Sequence, residues 1–220
     1  MFKSKQILLH SLSASLLILA VLSGFSPPAY SQNIDDEITR AKALMKKQKL
    51  EEALVAFSEI INKDPKNAKA YLGRGRTLAS KNRADDAIAD FKKSIELDST
   101  LYAPHVFLGM VYANKNKWEE AESEFRAACK KNPKSYTAQG NLGLALMRLK
   151  QYPEAIESYE KSIELNNKNP EPFINIAVMY KLQGQTDKAN EMFDKGVKLV
   201  PDKKLIKTMK KNFKAVKPES

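Results

Sequence analysis

The chain is poor in the residues that usually carry chemistry. Its 220 residues include one cysteine, Cys129, two histidines, His10 and His105, and one tryptophan, Trp118. A single cysteine forms no internal disulfide, and Cys129 lies in an Ala-Ala-Cys run where a small buried side chain fits. A structural zinc site takes about four His or Cys ligands, so metal binding is not expected. Glycine is also scarce, with 8 residues, and none forms a phosphate-cradling loop; no zinc-metalloprotease motif occurs. No apolar run after Leu22 is long enough to span a bilayer, for which ~20 residues are needed.

What is present begins with a leader-like start. Lys3 and Lys5 precede a mostly apolar stretch from Ile7 to Leu22, followed by a polar, Pro-containing exit to Ser31. Ala29 and Ser31 are the small residues a signal peptidase would read, so residues 1–31 are expected to be a signal peptide cleaved after Ser31. The alternative is an uncleaved membrane anchor. Without those two lysines the chain has 35 Lys plus Arg against 26 Asp plus Glu, a formal +9.

The rest is periodic. Ala53, Ala87, Ala121, Ala155 and Ala189 recur every 34 residues, each followed four positions later by an aromatic residue: Phe57, Phe91, Phe125, Tyr159 and Phe193. A second series, Ala41, Gly75, Gly109, Gly143 and Ala177, is followed three positions later by Leu44, Leu78, Tyr112, Leu146 and Tyr180. Spacings of three and four put each pair on one helical face. Turn residues separate the two series, at Lys47-Gln48-Lys49, Lys81-Asn82-Arg83, Lys115-Asn116-Lys117 and Gln183-Gly184-Gln185, with a looser Lys150-Gln151 between. Five windows follow without a gap: 34–67, 68–101, 102–135, 136–169 and 170–203. A short helix with one apolar face needs a partner, so each window reads as a helix pair that also covers its neighbours.

This pattern resembles the tetratricopeptide repeat family: a bulky residue and glycine in the first helix, as in Leu108-Gly109 and Leu142-Gly143, then the alanine, the aromatic and a closing proline at Pro65, Pro133 and Pro201. The resemblance implies an all-α fold, a right-handed α-solenoid of five helix pairs over residues 34–203. A basic capping helix over 204–217 is expected to close it, with an apolar stripe of Leu205, Ile206, Met209, Phe213 and Val216. The first pair, with Arg40-Ala41 where central windows have Leu-Gly, is expected to pack less tightly.

The family's first helices line a concave groove. Carried over to this chain, the groove-facing columns are Lys69 and Arg76; Val106, Phe107, Met110 and Asn114; Thr137, Asn141, Leu144 and Arg148; and Asn175, Val178 and Lys181. The surface reads as apolar in the middle and basic at its edges. It suits a peptide or helix with an apolar anchor and some acidic residues. The competing reading is that Phe107 and Met110 pack within the array. The family's clamp for a terminal carboxylate is mostly missing: Gly73, Ala103 and Phe107 stand where its polar and cationic residues would be.

Catalysis is not expected. His105 falls in the column of Tyr71 and Phe173, so its place is a packed one. The acids at Glu51-Glu52, Asp85-Asp86, Glu119-Glu120 and Glu154 open second helices, where carboxylates favour the positive end of the helix dipole. Net positive charge alone is weak evidence for nucleic acid, which is not expected as a partner. The sequence therefore reads as an exported, non-enzymatic scaffold or assembly factor without cofactor, in a bacterial periplasm or cyanobacterial lumen, whose partner is another protein. Two other readings stand beside it. One is a structural envelope subunit using the convex face or edges. The other is an anionic-membrane binder using Lys207, Lys210, Lys211 and Lys214. Homo-oligomers stay open, because an under-capped first repeat could stack on another copy.

Overall fold

A computed structural model describes residues 28–218, with side chains from residue 33. The expected leader, including its apolar run, lies chiefly outside the described residues. Eleven helices make up the described part: α1 (Pro28–Lys46), α2 (Leu50–Lys63), α3 (Ala68–Ser80), α4 (Ala84–Leu97), α5 (Ala103–Asn114), α6 (Trp118–Lys131), α7 (Tyr136–Arg148), α8 (Tyr152–Leu165), α9 (Pro170–Leu182), α10 (Thr186–Lys198) and α11 (Lys203–Ala215).

Consecutive helices pair as the 34-residue period requires. All five column alanines and their aromatic partners are buried, none more than 5% exposed. The reason is steric: a Cβ added at Gly75 would meet the Phe91 ring at 2.7 Å, and one at Gly109 the Phe125 ring at 2.6 Å. The bare backbone of a first helix thus lies directly against the aromatic ring of its second helix. Burying such a ring contributes ~1.5–3 kcal/mol. Leu78, Ala87, Phe91, Leu108 and Val111 carry this core across the second and third pairs. Phe125, Leu142, Leu146, Tyr159, Ile176 and Met179 carry it through the next ones.

Successive first helices, α1, α3, α5, α7 and α9, touch one another, whereas second helices do not make comparable mutual contacts. The first helices therefore lie on the inside of the curve. Polar groups reinforce the stacking. Lys115 reaches Asp85 at 2.6 Å and Arg126 reaches Glu154 at 2.7 Å, each from one repeat to its neighbour, and Lys81 makes the same kind of pair with Glu51.

Several helix ends have a local cause. Asn67, Ser135, Asn169 and Asp202 accept hydrogen bonds from backbone N–H groups in the following first turn. Between the helices of each pair, Gln48, Asn82, Asn116, Lys150 and Gly184 all have positive φ, between 57° and 75°. The Lys150 turn, expected to be looser, shares this geometry.

The first pair also departs from expectation. Ile34, Ile38 and Ala41 of α1 are buried with Phe57, Ile60 and Ile61, so α1 is firmly seated. Ile38 and Ile34 lie one and two turns before Ala41 on its face and supply the apolar bulk there. At the other end α11 sits where a sixth first helix would begin. Phe213 stacks on Phe193 with ring centres 4.1 Å apart, and Ile206 and Met209 pack beside them. Leu205, expected in the same stripe, is 48% exposed.

Candidate protein-binding groove

The groove is built on α3, α5, α7 and α9. Of its expected residues, Lys69, Met110, Asn114, Thr137 and Arg148 are exposed, and Arg76, Phe107, Asn141, Leu144, Asn175, Val178 and Lys181 are half-buried. Val106 is the departure. It is 5% exposed and packs between repeats with Ala128 and Ala138, because its position on α5 faces the next helix pair rather than the concavity.

Phe107 does both things the sequence left open. One side of its ring stacks on Phe91, with centroids 6.0 Å apart, and the Arg76 guanidinium lies 4.5 Å from its centre. The ring stays half-buried, and Met110 one turn on is 41% exposed. Leu144 continues this apolar strip on α7. Burial beside the ring pushes the Arg76 pKa down through desolvation, while Phe107 gains a cation–π contact worth roughly 0.5–2 kcal/mol.

Next to the strip lies a polar cleft of about 80 Å³ lined by Thr137, Gly140, Asn141, Tyr159, Asn169 and Glu171, among others. Asn175 Nδ2 donates to the Tyr159 hydroxyl at 2.9 Å. Burial raises the Tyr159 pKa strongly, against the smaller lowering by Asn175. The hydroxyl therefore keeps its proton and its capacity to donate. Asn141 occupies the same column one repeat earlier, and its carboxamide offers both donor and acceptor. Tyr159 and Glu171 were not among the expected groove residues. Tyr159 is the one hydroxylated member of the aromatic column, and that was the signal available.

The carboxy-terminal edge is not the basic rim the sequence suggested. Lys181 donates to the backbone oxygen of Phe213 at 2.5 Å and sits 4.3 Å from that ring, so the cap engages it. Glu171 is exposed at the same end. Positive charge is retained at Arg76, at Lys69, which lies 3.6 Å from Asp35, and at Arg148, which rests over Trp118.

The remaining polar residues have structural places. His105 is buried against Glu124, with Nδ1 2.7 Å from Oε2. Arg74 makes a bidentate pair with Asp90 at 2.7 and 2.8 Å. Cys129 is half-buried, and desolvation pushes its pKa up to about 11. A thiol so placed is a poor nucleophile. Among the described residues, no three His, Cys, Asp or Glu side chains converge as a metal ion would require, and no helix is long and apolar enough to cross a membrane.

Fold and groove together define an all-helical repeat protein with a concave face lined by its first helices. The tetratricopeptide repeat model matches residues 38–101 and 108–170, and a second model of that name matches 158–189. The chain belongs to the tetratricopeptide repeat family.

Solved structures agree. The crystal structure of MamA is 25% identical, with a TM-score of 0.67 over 72% of this chain and 93% of that one. YrrB, described as a tetratricopeptide protein with an unusual peptide-binding site, is 25% identical, with a TM-score of 0.66 over 80% and 90%. PilF of Pseudomonas aeruginosa shares the fold at 19% identity, with a TM-score of 0.75 over 83% of each chain. No curated protein matches the chain.

Proposed function

We propose that this protein is an exported adaptor or assembly factor that captures a short peptide or helix of a partner protein in its concave groove. The observation that carries the reading is the continuity of the half-buried Phe107, the exposed Met110 and the half-buried Leu144 with the cleft of Asn141 and Tyr159. The apolar strip would take an aliphatic or aromatic anchor, with Met110 adapting to its shape. Asn141 would hold the partner's backbone, and Arg76 and Arg148 would select acidic flanks. Stacked helices hold these groups in place beforehand, which lowers the entropic cost of capture. The peptide-binding site in the description of YrrB, a fold neighbour, supports the same use of the scaffold.

The leader-like start supports a bacterial periplasm or cyanobacterial lumen as the setting of this activity. The test is a crosslinked pull-down from native envelope, comparing the 32–220 chain with its Phe107→Glu/Leu144→Glu form, with folding checked by circular dichroism. A partner lost only in the variant supports the groove. A partner retained by both moves the function to the convex face or the edges.

A further inference from the structure

The ion pairing that runs along the solenoid stops at its last helix. Lys49, Lys93, Lys161 and Lys195 each pair with a glutamate three or four residues away. In α11, Lys203, Lys204, Lys207, Lys210, Lys211 and Lys214 are all exposed, and none has an acidic partner among the described residues. The sequence from 203 to 218 contains no Asp or Glu at all. Lys203, Lys207, Lys210 and Lys214 follow at intervals of four, three and four, so they form one stripe down the helix. At ~1.5 Å per residue it is about 16 Å long. Ile206, Met209 and Phe213 hold the helix to the array from another face, leaving the lysine stripe to solvent.

Capping alone does not call for this arrangement. Like charges three and four residues apart weaken a helix. Lysines in a first turn oppose the helix dipole, and the capping carboxylate of Asp202 is a single negative charge against the two of Lys203 and Lys204. The faces of the earlier repeats mix both signs, whereas the outer face of α11 carries lysine alone.

From this we infer that α11 is an electrostatic docking stripe for an anionic lipid surface. The chemistry of the stripe selects that partner over nucleic acid or an acidic protein segment. It contains lysine only, with no arginine for bidentate recognition of single phosphates or carboxylates. Its one aromatic, Phe213, is buried, so no ring is free to stack on a base. A straight row of point charges on an outward-facing helix matches a flat, diffuse layer of headgroups, where each Lys near the surface adds attraction. The groove is not part of this surface, so the inference stands apart from the capture reading above.

The test is partition of the full chain onto vesicles of phosphatidylcholine alone and with about 30 mol% phosphatidylglycerol, at low salt and at ~0.5 M salt. The neutral vesicles measure whatever the apolar amino-terminal stretch contributes. The stripe predicts an extra, salt-sensitive binding to the anionic vesicles. In Lys203→Gln/Lys207→Gln/Lys210→Gln/Lys214→Gln that increment should fall by up to roughly a thousandfold, at about 1 kcal/mol per lysine, with the helical spectrum unchanged. The corresponding four-arginine form should keep it, and Phe107→Glu/Leu144→Glu should not alter it. Anionic binding that survives the glutamine changes overturns the inference, as does tighter binding to polyglutamate or duplex DNA than to the anionic vesicles at equal salt.

Discussion

Nδ1 of His105 lies 2.7 Å from Oε2 of Glu124, and Nε2 of the same ring is buried without a hydrogen-bond partner among the described residues. The bond between Nδ1 and Oε2 is thus the ring's one hydrogen bond among the described residues. Two repeats later the same two columns hold Phe173 and Met192, an apolar solution to the same interface. Glu124→Met alone leaves both ring nitrogens buried and unsatisfied, at a cost of ~1–3 kcal/mol. Adding His105→Phe should restore or exceed native stability, because replacing both partners of a buried polar pair by apolar groups is neutral or stabilising. Chemical denaturation of both singles and the double closes the cycle. Additive effects would contradict the pairing.

The contact of Gly109 with Phe125 makes a second prediction. Gly109→Ala sets a methyl 2.6 Å from a ring that is 1% exposed, so one of the two must shift. The overpacking costs ~1–3 kcal/mol and exceeds the gain of under about 1 kcal/mol from alanine's helix propensity. A lower thermal midpoint is expected. An unchanged or raised one would mean that the ring can shift.

The inter-helix turns offer a stabilising change. Gln48 has a φ of 59°, where glycine, as at Gly184, is unstrained. Relief of up to ~1 kcal/mol is partly offset by the greater freedom of glycine in the unfolded chain. Gln48→Gly should therefore raise stability by about 0.5 kcal/mol and do more than Asn82→Gly, since asparagine already tolerates this region. Denaturant titration of the two variants checks the order.

Cys129 gives a pH signature. Its pKa rises from an ordinary 9.0 to about 11 through desolvation, outweighing the lowering by Arg126 and Lys161. At pH 8 the native thiol should react with a disulfide reagent at least ~10-fold more slowly than in denaturant, because the thiolate is the attacking species. The linkage has a definite sign. Between about 9 and about 11 the unfolded thiol has lost its proton and the native one has not, so stability is present below that window and is lost as pH rises through it. Cys129→Ser should flatten that part of the stability profile.

Much of the fold was legible because the 34-residue period reports packing directly. Alanine, aromatic and glycine columns are the places where one helix meets another, and they name their own register. Three features escaped for physical reasons. The seating of α1 depends on Ile38 and Ile34, which lie one and two turns before Ala41 in the step that suggested looseness. Val106 sits in a groove-facing column by family register, yet the small Ala128 and Ala138 open a place for it between repeats. Lys181 reads as a groove cation until the cap folds back and Phe213 covers it. The Arg74–Asp90 and His105–Glu124 pairs span 16 and 19 residues. Column alignment would have set these partners side by side, whereas helical spacing along the chain does not.

The most direct test of groove capture is site-specific photo-crosslinking from within the folded protein. A photoreactive residue replaces Met110, 41% exposed on the concave side, or Val55, 58% exposed on the second helix α2, and each form is irradiated in native envelope. The account predicts a partner crosslinked from position 110, mapped to a short segment with an apolar anchor, and lost when Leu144→Glu is added. A partner crosslinked from position 55 and not from 110 would contradict it.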